Sequence, residues 1–116
     1  MAEESHFTDE STVELDLQNF ESNLRDRMNY HDIPEHMRES VIDYVIYGRP
    51  VGHFLHNLFS NDLMGTFSRA DTKNRQKIEE WTLLIYNDIP KSCWGSESNV
   101  VEWQKVGGLK GKYTEE

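Results

Sequence analysis

The chain has 116 residues, 36% of them apolar, and a formal charge of −9 from 21 acids against 12 lysines and arginines. That is the size of one domain, with room for a hydrophobic core that needs no metal or disulfide. No apolar run approaches the roughly 20 residues of a bilayer-crossing helix, the single cysteine, Cys93, excludes an intrachain disulfide, and the acidity argues against direct nucleic-acid binding, which needs cations at the phosphates.

The opening MAEESHFTDE lacks the basic and apolar parts of a signal peptide. It has almost nothing to bury, so residues 1–10 are expected to be a disordered, mobile acidic segment. With one cysteine, a reducing cytoplasm is the expected location. The charge is uneven. Residues 1–24 hold seven acids and no lysine or arginine, whereas residues 25–116 hold fourteen acids against twelve cations. The acidity therefore belongs mainly to the beginning of the chain and suits a basic partner surface, or simply solubility.

Ser11-Thr12-Val13-Glu14 reads as a capping box. Val13, Leu17, Phe20 and Leu24 then fall on one helical stripe, which predicts a helix over about 12–29. The alternation of Val13, Leu15 and Leu17 leaves a strand as the competing reading. Pro34 fits the start of a second helix, with Met37, Val41, Tyr44 and Val45 inward and Gly48 as a left-handed stop. Val51, Phe54, Leu55, Leu58 and Phe59 form a further core-facing stripe, with His53 and His56 between them on the polar side. A short helix follows in which Leu63, Met64 and Phe67 are apolar, capped by Asn61-Asp62. Asp71 caps a long helix to about Asn87, with Ile78, Trp81, Leu84 and Ile85 buried, and Ile89-Pro90 ends it. Ser96 starts a last short helix with Val100, Trp103 and Val106 inward, closed by Gly107-Gly108. The expected architecture is all-α: a compact bundle of four to five helices spanning 11–108 as a single domain, with residues 109–116 a mobile tail.

Motifs that carry chemistry are sparse. His53 and His56, three apart, are neighbours on a helix and could share an ion. A zinc site needs three or four protein ligands. His31, His36, Cys93, Asp32 and Glu35 are available, but nothing in the sequence converges them, and polar surface is the commoner role of such a pair. Cys93 lacks a catalytic signature or a paired histidine. There is no Gly-rich phosphate loop and no nucleophile elbow. The reading is therefore of no enzyme, no catalytic residue and no cofactor.

Three surfaces remain as candidates. The acidic, amphipathic first helix offers Glu14, Asp16 and Glu21 to steer a partner, with Leu17 and Phe20 to hold it. The basic turn RADTKNRQK brings Arg69, Lys73, Arg75 and Lys77 to a helix start, where cations oppose the dipole and could meet an anion or a partner's carboxylate. The simpler reading pairs Arg75 with Glu79 and leaves the rest solvated. Trp94, beside Gly95, is a possible aromatic anchor.

Ile33-Pro34, Tyr44, Gly48, Asn61-Asp62-Leu63, Arg69-Ala70-Asp71, Asn74, Tyr86-Asn87, Pro90 and Trp94-Gly95-Ser96 together give residues 33 to about 103 a resemblance to small helical proteins encoded by tailed bacteriophages and prophages. That resemblance implies expression in a bacterial cytoplasm and an accessory role in infection, commonly through binding a host protein. The expected function is a non-enzymatic protein-binding module, a modulator or inhibitor of a host or phage protein. The alternatives are an oligomeric assembly component of a phage complex and a small metal-binding protein using His53 and His56.

Overall fold

Two residues frame the central helix: Pro34 precedes it at φ −51°, and Gly48 ends it in the left-handed region at φ 70°. The computed structural model describes residues 10–114, and every regular element among them is helical. In chain order these are α1 (Glu10–Tyr30), α2 (Glu35–Tyr47), α3 (His53–Phe59), α4 (Leu63–Arg69), α5 (Thr72–Gln76) and α6 (Ile78–Asp88). A 3-10 turn at Lys91–Cys93 leads to α7 (Glu97–Val106) and α8 (Gly108–Thr114). The all-α class stands, but the described residues form eight helices where four to five were expected.

Most stripes read from the sequence face the core. Leu17 and Leu24 of α1 are buried, with Val13 and Phe20 packed half-buried beside them. The first helix is thus a helix and not a strand. It already includes Glu10 and Ser11, so Ser11 lies inside it and does not cap it; the disordered segment expected before it falls, apart from Glu10, outside the described residues. In α2, Ile42 and Ile46 join Val41, Tyr44 and Val45 in the interior, so a wide face of this helix is covered. Phe54, Leu55 and Phe59 of α3 and Trp81, Leu84 and Ile85 of α6 complete the centre.

The caps act as side-chain chemistry requires. Asp62 accepts from the Gly65 amide at 3.0 Å, Asp71 from Asn74 at 2.8 Å and Ser96 from Asn99 at 3.1 Å.

Two expectations are corrected. The long helix from Asp71 is broken at Lys77 (φ −112°, ψ 20°), where the Lys77 amide bonds back three residues to Asn74. The break lets Asn74 turn inward, where its carbonyl oxygen accepts the buried Trp81 indole N–H at 3.2 Å. The tail read as mobile from residue 109 forms α8, which packs on α1 and α2. Glycine makes that packing possible. Gly48 and Gly108, at φ 70° and 69°, cross backbone against backbone, and a Cβ on Gly48 would sit 2.6 Å from the Gly108 nitrogen. Beneath this crossing the Trp103 indole donates to the Tyr44 and Val45 carbonyls, at 3.0 and 3.2 Å.

Candidate functional site

The largest side chains of α4 point away from the core. Leu63 is 64% and Met64 79% exposed, and Phe67 is exposed beside them. The cause lies on the other side of the helix. Gly65 approaches α3 so closely that a Cβ there would stand 2.8 Å from the Asn57 side-chain nitrogen. Thr66 is buried next to it, its hydroxyl donating to the Asp62 carbonyl at 2.6 Å. A small-residue face packs inward, so the apolar residues are turned to solvent.

Across from α4, α6 buries Trp81, Leu84 and Ile85 and presents Tyr86, 66% exposed. Trp94 completes the wall. Its indole donates to the Ile89 carbonyl at 3.2 Å, and its ring centroid stands 6.4 Å from that of Tyr86. Gly95, at φ 115°, donates to the Phe59 carbonyl at 2.8 Å and anchors this loop to α3. Leu58, Leu63, Ile78, Ile85, Tyr86 and Trp94 thereby line a groove of about 160 Å³, with Asp62 the one charged residue in the lining. Small-molecule sites commonly measure about 300–1,000 Å³. This groove fits the side chains of a partner better than a substrate or cofactor.

The acidic candidate is divided by the fold. Glu14 and Asp16 are exposed, while Glu21 is half-buried and bonded to Arg25 at 2.6 Å. Arg25 also holds Glu39 of α2 at 2.6 Å, which keeps the Glu39 carboxyl below its ordinary range. Leu17 is only 5% exposed and Phe20 leans on the core. The apolar side chains expected to hold a partner on α1 are therefore engaged within the chain, because one stripe cannot face both ways.

The basic turn is likewise separated into parts. Lys77 pairs with Asp32 at 3.0 Å, and Arg75 donates to the Ala70 carbonyl at 3.0 Å, not to Glu79, since the break at Lys77 interrupts the helical register. Asp71 lies within the turn, and its carboxyl is held low by the Asn74 amide and then by His36, 3.0 Å away. Arg69 and Lys73 are exposed. Lys73 and Lys77 line one open pocket with Arg38, Asp32 and Glu35, and Arg69 and Arg75 are not part of it.

His53 is exposed, and His56 stands 3.6 Å from Glu97. Among the described residues no three histidine, cysteine or acidic side chains gather as metal ligands would. Cys93 is buried, its thiol 3.0 Å from the Pro90 carbonyl, and burial pushes its pKa up to about 12. It is a protonated packing group, without the thiolate a nucleophile needs.

One cluster escaped the sequence reading. His31 is buried, with Nδ1 2.9 Å from Glu80. A carboxylate only accepts, so Nδ1 carries the proton. Nε2 is left without a hydrogen-bond partner, 3.8 Å from Asp88, which in turn receives Arg27 at 3.2 Å. The cluster ties the end of α1 to α6. Its members are up to 61 residues apart, and no local pattern announces them.

Compared with protein-family models, with curated proteins and with solved structures, the chain matches none.

Proposed function

We propose that this chain is a non-enzymatic protein-binding module whose docking face is the apolar groove between α4 and α6, with the exposed acids of α1 steering encounter. The observation that carries this reading is the apolar groove that Leu63 lines with Tyr86 and Trp94, on a helix that also exposes Met64 and Phe67. Contiguous exposed apolar surface of this kind marks interaction sites, and tyrosine and tryptophan dominate binding energy there. The resemblance to phage-encoded helical proteins favours a modulator or inhibitor of a bacterial host or phage protein as the biological role.

Affinity capture from bacterial lysate tests it with three proteins. These are the wild type, a Leu63→Ser/Met64→Ser/Tyr86→Ser variant, and a Glu14→Gln/Asp16→Gln variant. The expected result is a partner retained by the wild type, lost by the first variant, and held with weaker salt dependence by the second. Unchanged capture by a folded first variant removes the reading. The same exposed face supports a second possibility, an oligomeric assembly component; a concentration-dependent mass favours it, and a strictly monomeric mass counts against it.

A further inference from the structure

We propose that the groove receives a cationic amphipathic helix of another protein, seating apolar side chains between α4 and α6 with lysines or arginines over the rim. This rests on the docking reading above and adds the chemistry of the occupant. Asp62 is the one charged residue among those lining the groove. One of its oxygens caps α4 through the Gly65 amide, and the other makes no hydrogen bond among the described residues. The facing helix, α6, carries Glu79, Glu80 and Asp88 and neither lysine nor arginine. Glu80 is turned to His31 and Asp88 to Arg27, which leaves Glu79 as the acid on the outer side. Glu79 and Tyr86, seven apart, share one helix face two turns apart, with Glu79 outside the groove's lining. Arg69 at the far end of α4, Lys77 directly before Ile78 and Lys91 ahead of Trp94 lie outside the lining, and Lys77 is paired with Asp32.

The lining is mainly apolar, and its single charge is the carboxylate of Asp62. An acidic partner would set carboxylates against Asp62 and Glu79, whereas a basic one meets complementary charge. At about 160 Å³ the groove takes side chains and leaves a partner's backbone outside, as when a helix lays an apolar face on a receiving surface.

Two synthetic helical peptides with the same leucine face, one with lysines opposite and one with glutamates, test this by calorimetric titration of the full chain. Circular dichroism confirms that each protein variant is folded. The lysine peptide is expected to bind and to weaken as salt rises, and the glutamate peptide to fail. Leu63→Ser/Tyr86→Ser is expected to weaken lysine-peptide binding by more than about tenfold. Asp62→Asn/Glu79→Gln, which keeps a competent cap, is expected to weaken it by roughly three- to tenfold. Equal binding of both peptides, or no change in the Asn/Gln variant, overturns the basic occupant while leaving the docking face intact. No change in the Ser/Ser variant overturns both, and a lysine peptide that does not bind overturns the occupant. A wild-type dimer dissociated by the Ser/Ser variant makes the occupant a second copy of this chain, and the proposal then fails.

Discussion

The Tyr44 hydroxyl donates to the buried Cys93 carbonyl at 2.7 Å while its ring stacks on Phe59 with centroids 4.7 Å apart. One side chain thus joins α2, α3 and the turn before α7. Removing the hydroxyl leaves that carbonyl without its donor, and a buried unsatisfied group costs about 1–3 kcal/mol. Tyr44→Phe is therefore expected to lower the unfolding free energy by that amount, read as a lower urea midpoint with an unchanged slope. The neighbouring Cys93 makes a kinetic prediction. With its pKa pushed up to about 12 by burial, the thiol is expected to react with a thiol reagent at pH 8 only as fast as the chain opens, and promptly once urea unfolds it. Rapid labelling of the native protein would contradict the packing described for it.

Among the elements, α8 and α5 show how backbone detail sets orientation. Gly108→Ala brings a methyl group into the Gly48 and Ile46 backbone at a positive φ, and a loss of about 1–3 kcal/mol is expected in thermal or urea unfolding. Gly52 is the contrast: it caps α3 with open space around its Cβ position, so Gly52→Ser supplies a capping hydroxyl and is expected to gain a few tenths of a kcal/mol. At the start of α5, Asp71→Ala is expected to cost about 1 kcal/mol at neutral pH. The Asp71 carboxyl is held below its ordinary 3.8. Its contribution is therefore complete above that value and fades as pH falls through the lowered native one, so the wild-type and variant stabilities should converge in acid. Helices and caps were legible because they are local: Gly48, Asp71 and Ser96 each act within a few residues of themselves. The break at Lys77 was not, since it depends on Asn74 meeting Trp81 inside the core. Nor was α8, whose only sequence cue is a pair of glycines that reads equally well as a stop.

For the molecule as a whole, the distribution of surface matters more than net charge. No helix among the described residues is long and apolar enough to cross a membrane. Half of the large exposed apolar side chains among the described residues stand on α4 and α6, the others being scattered over α1, α2, α7 and α8. Periodicity identified Leu63, Met64 and Phe67 as apolar, but only the packing of Gly65 and Thr66 against α3 decides which way they face. The reverse holds for Leu17 and Phe20, whose stripe looked free for a partner and lies in the interior. Leu63→Ser/Met64→Ser is therefore expected to leave thermal stability within about 0.5 kcal/mol of the wild type, as exposed positions do.

The contact between Trp103 and the carbonyls of Tyr44 and Val45 spans 59 and 58 residues. A ribosome builds the chain from its N-terminus, so α2 emerges with the Tyr44 carbonyl already accepting the Gly48 amide at 2.9 Å, while the Val45 carbonyl must wait for the Trp103 indole of α7. Nascent chains halted just ahead of Trp103 should remain open to protease around Tyr44, and those extended through α8 should close.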